Sequence, residues 1–448
     1  MAVLKHCVWL LFAAGNAALT SAKTTAHNFT QTAIDNGDAL AQLSAQALEV
    51  SKALNQRMGI NSTCTPDKLR VRKEWRTLPA EERKAYVAAV KCLQSSPTLL
   101  NSTELPAAKS LYDDFVLTHF NQTGMVHITA NFLLWHRYFT YTYEENLRNV
   151  CGYTGTFPYW EWGLDVEDPA KSPVFDGSET SMGSNGAAIE HEGMHLLQSF
   201  SNTTIILQPG SGGGCVETGP FSDMVVHVGP RSLWQYGTTT TLSVDKPTED
   251  HSRCLKRDLN KHIASRYSSL RNTTELILGN DNIEWFQAVM QGDDRYTPGM
   301  EVGVHGGGDP GADPFISPGE PVFFLHHAQV DRVYWIWQVL DFANRQDIFG
   351  TRTLQNNPPS ANATLDDLID IAPIGGSAKL RDLMNTDWMD GSRQRAGWCR
   401  KTPPTDNDCN LDRPQLQSVW VECCSIKDSS ISYQPVGKAN GTTCPKAV

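Results

Sequence analysis

Six histidines, in two groups, carry the chemistry this sequence offers. His119, His127 and His136 are separated by seven and eight residues. Three neutral imidazoles brought together hold a metal ion and leave it an open coordination position, which suits copper or zinc. Far downstream come His305 and the adjacent pair His326-His327. After His326, apolar Val330, Val333, Tyr334 and Trp337 recur at three- and four-residue steps, which predicts a buried helix. On it His327 and Asp331 are four apart and share a face. A carboxylate there could take one ring N–H while the other nitrogen binds a metal. Glu144, two helical turns beyond His136, is a candidate for the same supporting role. A third constellation, His191-Glu192-Gly193-Met194-His195, spells HExxH, a zinc peptidase site when helical. Gly193 weakens a helix there and no metzincin continuation follows, so a peptidase is not expected. His227, His251 and His262 lack partners at ligand spacing and read as structural or exposed.

These ligands need helices to aim them. Ala- and Leu-rich 36–54, the charged and apolar stretch 69–93, and 113–120 and 132–150 all read as helices, as do 255–270 and 283–291. His119 falls in the third and His136 in the fourth, with a connection containing Gly124 between them. Gly-, Pro- and Ser-rich 163–230 reads as ordered loops, and 303–321 as a Gly/Pro loop feeding the His326-His327 helix. The fold class expected is mainly α, a single domain over 23–448 with long loops tied by disulfides.

The bulk numbers limit the partners. The 448 residues carry a formal net charge of −11 and no long basic run, which argues against nucleic acid or an anionic membrane. Residues 1–22 read as a secretory signal: Lys5, apolar Val8 to Ala14, then small residues to Ser21-Ala22. No segment is long and apolar enough to span a bilayer. Eleven cysteines fall to ten without Cys7, an even number that suits up to five disulfides in an exported chain, with Cys64 and Cys92 a plausible pair. Sequons at Asn28, Asn61, Asn101, Asn121, Asn202, Asn272, Asn362 and Asn440 fit a glycosylated secreted or vesicular protein.

The sequences around the histidines are more specific than their spacing. FLLWHRYF, PYWEW and SPGEPVFFLHHAQVDRVYWIWQ resemble the type-3 copper family of tyrosinases and catechol oxidases. In detail the chain is similar to its short secreted fungal branch, over roughly residues 60–425. The resemblance implies an antiparallel helix bundle holding two metals, each by three histidines. It implies His119, His127 and His136 as the first site, and His305 and His327 in the second, with His326 a packing neighbour.

One block departs from the family pattern. Related fungal sequences have a second-site histidine after three glycines, where GVHGGGDPGADPF runs directly into Asp309. The middle ligand is missing, and Asp309 or His195 are the candidates to replace it. Met125 stands where some relatives have a thioether-forming Cys. Gly306 follows His305, where some tyrosinases have an asparagine that helps deprotonate phenols. Hydroxylation of monophenols is therefore not expected. An eroded second site favours Lewis-acid chemistry at the intact one. Cyclopenases, zinc-using relatives that contract cyclopenin-type benzodiazepines to quinolones with loss of methyl isocyanate, set the precedent. The leading expectation is thus a zinc-dependent, cyclopenase-like enzyme of alkaloid metabolism acting on a small aromatic substrate. A catechol oxidase with two copper ions and an inactive metal-binding relative are the alternatives.

Overall fold

The computed structural model describes residues 28–58, 69–198, 203–292, 300, 307–384 and 420–423. Helices α1 (Asp38–Met58), α2 (Ala80–Ser95), α3 (Leu111–Val126), α4 (Phe132–Asn149), α5 (Leu270–Gly279), α6 (Ile283–Gln291) and α7 (Val322–Leu340) form the frame. α7 packs on α1, α4 and α5, and α4 also touches α2 and α3. The fold is mainly helical, as the composition predicts.

α7 is the axis of the core. Its residues from Val322 through Val339 are all buried, so the apolar run 322–325 belongs to the helix and does not merely precede it. A helix apolar all round sits inside a bundle instead of on its surface. Phe324 stacks on Tyr143 of α4 at 3.5 Å between ring centroids, and Phe139 stacks on Phe324 at 5.9 Å. Phe115 of α3 meets Tyr143 edge-on at 5.2 Å. Aromatic contacts of this kind fix the rotation of α3, α4 and α7 about one another.

The stretch 69–93 corrects the sequence reading. Leu69–Glu74 is a strand, β1, and the helix begins at Ala80. β1 pairs in parallel with β2 (Pro158–Tyr159), and antiparallel with β5 (Trp420–Cys423). The alternating Arg70 and Arg72 are the reason: a strand sends alternate side chains to one face, and these two meet Glu144 and Glu145 of α4, while Glu74 pairs with Arg76. Residues 255–260 are likewise not helical; the helix there spans Lys261–Tyr267.

Cys92 pairs with Cys151, not with Cys64, tying α2 to the end of α4, and Cys215 pairs with Cys254. Residues 1–22, Asn61, Asn202 and Asn440 lie outside the described residues. Asn28, Asn101, Asn121 and Asn362 are exposed. Asn272 is half-buried, and its side chain forms a capping box with Ser269 at the start of α5. No helix among the described residues is long and apolar enough to cross a membrane.

Candidate metal centre

α3 starts where the Ser110 hydroxyl accepts from the Asp113 N–H, and it runs through Gly124 to Val126. It carries His119, and His127 is its C-cap residue. The chain turns through 128–131 and enters α4, whose second turn carries His136. This helix–turn–helix brings the three ligand nitrogens within 4.8 Å of one another. Ring centroids lie 5.1 Å apart for His119–His127, 5.0 Å for His127–His136 and 5.7 Å for His119–His136. Among the described residues this is the group of His, Cys, Asp or Glu that comes together with metal-ligand geometry.

Backbone carbonyls set the orientation of all three rings. His119 Nδ1–H donates to the Phe315 carbonyl at 3.0 Å, His127 Nδ1–H to the Thr123 carbonyl at 3.2 Å, and His136 Nδ1–H to the Phe132 carbonyl at 2.8 Å. Each bond fixes one tautomer and leaves Nε2 as the donor nitrogen. Thr123 serves twice, because its hydroxyl also lies 3.4 Å from His119 Nδ1 while donating to the His119 carbonyl. Burial drives the His127 imidazole down to about 4, so the ring is neutral and ligand-ready at ordinary pH. Three imidazole donors this close together fit copper or zinc.

The carboxylates expected to support the ligands do something else. Asp331 accepts from Arg137 Nε at 2.6 Å and lies 3.9 Å from Arg72. Its ties are to guanidiniums and not to His327, since a cation attracts a buried carboxylate more strongly than a neutral ring does. Glu144 is eight residues, about 12 Å of helix rise, from His136. It meets Arg70 at 3.1 Å, Arg148 at 3.2 Å and Arg72 at 3.4 Å. Burial works to raise its carboxyl, but the three guanidiniums outweigh that and hold it below the usual carboxylate value. Both acids therefore lock the frame behind the histidines.

The second group is brought to the first by α7. The His327 ring stacks on His136 at 4.4 Å with 10° between planes, and Phe323 lies over His327 at 4.1 Å. His326, one residue back, turns to Trp162 at 5.0 Å. It lines a small cavity with Trp160, Trp162, Phe175, Arg257 and Phe323. His305 lies outside the described residues.

Neither candidate for the missing ligand joins the ligand group. Both oxygens of Asp309 accept from Arg253, at 2.6 and 2.7 Å, so the carboxylate is already satisfied in a bidentate pair. His195 lies on strand β3 (Met194–Gln198), opposite Ile206 of β4 (Thr203–Leu207). The HExxH string is thus a loop that runs into a strand, not a helix, and does not assemble a peptidase site. Gly193 has φ +78°, and a Cβ there would meet the Leu207 carbonyl at 2.1 Å. His191 stacks on Tyr236 at 3.8 Å instead of facing His195.

Sequence reasoning missed the carbonyls of Phe315, Thr123 and Phe132, which no side-chain pattern encodes. Thr123, four residues after His119, and Phe323, four before His327, were open to discovery by helical spacing.

Comparison with known proteins agrees with this geometry. The model of the common central domain of tyrosinase matches residues 109–340. Tyrosinase P of Aspergillus terreus is 33% identical over 347 residues, covering 75% of this chain and 94% of the relative. N-acetyl-6-hydroxytryptophan oxidase ivoB of Emericella nidulans is 34% identical over 341 residues, covering 72% and 91%. Among solved structures, a polyphenol oxidase mutant from Thermothelomyces thermophila superposes with a TM-score of 0.70 at 38% identity, covering 78% of this chain and 95% of that one. The helix pair carrying His119, His127 and His136, the α7 helix that brings His327 to it, and these matches together place the chain in the tyrosinase family.

Proposed function

We propose that this chain is a copper-dependent oxidase of a small phenolic metabolite, working at a centre built on His119, His127 and His136. The observation that carries the reading is the parallel stacking of His136 and His327 at 4.4 Å. It sets the last second-site ligand against the complete first site, as expected of a pair of metals held between α4 and α7. The relatives lend support: ivoB is named an oxidase of N-acetyl-6-hydroxytryptophan and hkm6 of Aspergillus hancockii an oxidase, and the structural relative is a polyphenol oxidase. When bound, copper supplies two-electron oxidation with dioxygen as acceptor. The chain's own part is to hold three Nε2 donors in place through fixed Nδ1 bonds, to keep the His127 ring neutral by burial, and to pack Phe323 and the aromatic core against the site. The substrate expected is an ortho-diphenol and the product its ortho-quinone, two diphenols being oxidised for each dioxygen reduced to water, by a protein exported through the secretory pathway.

A second reading, a zinc enzyme of cyclopenase type acting without redox change, is favoured by one observation. Asp309 is engaged by Arg253 and His195 lies on a β-strand, so neither completes the second site. Metal analysis of the purified protein with an oxygen-uptake assay on catechols separates the two. Copper with uptake supports the oxidase; zinc without uptake supports the second reading.

A further inference from the structure

The turn that carries His127 contains a strained residue directly after it. Ile128 has φ +47°. In that left-handed conformation a side-chain Cβ crowds the neighbouring carbonyl, and for a β-branched residue the conformation is an outlier. It persists only where the surroundings impose it. Here the imposing group is identifiable. The Ile128 N–H donates to Gln291 Oε1 at 2.7 Å. Gln291 is the buried last residue of α6, and its Nε2–H reaches back to the Gln287 carbonyl at 3.5 Å. The rest of the turn is held at its far end. Ala130 N–H donates to the Thr351 carbonyl at 3.1 Å. Thr129 Oγ1 and Asn131 Nδ2 donate to the Met125 carbonyl at 2.9 and 3.1 Å. Among these contacts only Gln291 acts on the residue bonded to His127. His127 differs from the other two histidines in standing outside a helix: its backbone N–H and its ring Nδ1–H both reach the Thr123 carbonyl on one side, and on the other its backbone runs straight into this turn.

We infer that Gln291 is a positioning residue for the metal centre: its amide oxygen clamps Ile128 in the left-handed conformation and so aims His127 Nε2 at His119 and His136. The inference rests on reading the three histidines as metal ligands. Without the clamp, Ile128 relaxes toward negative φ and the His127 ring swings off the site. A glycine at 128 adopts the same conformation without strain and makes the clamp less necessary.

The test uses the full-length protein stripped of metal and titrated with Zn2+ alone against a chromophoric chelator. Gln291→Leu should weaken binding roughly 10–100-fold, the usual effect of losing a group that orients a ligand. Gln291→Glu, which keeps an acceptor at the same reach, should stay near wild type. Gln291→Leu combined with Ile128→Gly should recover most of the loss. Wild-type affinity in Gln291→Leu, or no recovery from the glycine, overturns the clamp. His119→Ala separates this from failure of the ligand reading: if it binds Zn2+ as wild type does, the centre itself is refuted and the clamp with it. If Gln291→Leu does not fold, Ile128→Gly in the otherwise native chain decides. A held or raised melting temperature of the metal-stripped protein supports strain at 128. A drop of about 2 °C or more, the result for glycine replacing an unstrained residue, overturns it.

Discussion

Asp331→Asn probes the frame behind the histidines. Arg137 and Asp331 are 1% and 2% exposed as side chains and join α4 to α7 through a 2.6 Å bond. Each is one helical turn or less from a candidate ligand, His136 or His327. The remaining acceptors around Arg137 are neutral: Gln338 Oε1 at 3.1 Å and the carbonyls of Leu383 and Met384 at 3.0 and 3.2 Å. The substitution thus leaves a guanidinium buried without its counter-ion, which costs about 3–5 kcal/mol. At about 2 °C per kcal/mol or slightly more for a chain of this size, the melting temperature should drop by roughly 6–12 °C. Thermal unfolding of the metal-stripped protein by circular dichroism reads this directly. Asp331→Leu with Arg137→Met should be less damaging than Asp331→Asn, because the pair then leaves together. A single-variant drop under about 2 °C would refute the reasoning. So would an unchanged melting temperature with a large loss of metal affinity, the pattern expected if Asp331 instead supported His327.

Three further outcomes follow from the geometry. Glu144→Gln leaves Arg70, Arg72 and Arg148 without their shared carboxylate. The native value of Glu144 lies below its unfolded one, so its stabilisation is present above about pH 4.5 and is lost as pH falls through the native value. The variant should therefore be destabilised at pH 7 and lose stability less steeply than wild type below pH 4.5, in urea titrations across pH. Cys92 and Cys151 are 59 residues apart, and replacing both with Ala should cost about 4 kcal/mol by loop entropy, measured by urea unfolding of oxidised wild type and the variant. Asp309→Asn should leave metal content unchanged, because the carboxylate serves Arg253; a loss of metal by elemental analysis would restore Asp309 as a ligand.

The parts of this molecule legible in its sequence are those written in side-chain periodicity. α4 and α7 show their buried stripes, and the three upstream histidines converge because two helices joined by a short turn have few ways to pack. The spacing predicts a helix over β1 because Arg70 and Arg72 suit an exposed helix as well as a strand; only the distant acids of α4 make the strand the better choice. Spacing along one helix ties Asp331 and Glu144 to the histidines, whereas most of their partners, Arg137 and Arg72 for Asp331 and Arg70 and Arg72 for Glu144, come from other elements. Spacing cannot see a competitor across the core. The HExxH string failed for a local reason, the positive φ at Gly193 against the Leu207 carbonyl, which turns the segment into a hairpin strand. The ring-orienting carbonyls are invisible in any sequence, since every residue has one.

The most direct test of the central claim is metal content and oxygen uptake of the full-length protein and its His119→Ala variant, side by side. The account predicts copper in the wild type, catechol-dependent oxygen uptake, and loss of both copper and uptake in the variant. Zinc as the sole metal with no uptake, or a His119→Ala variant that keeps its copper and its activity, would contradict it.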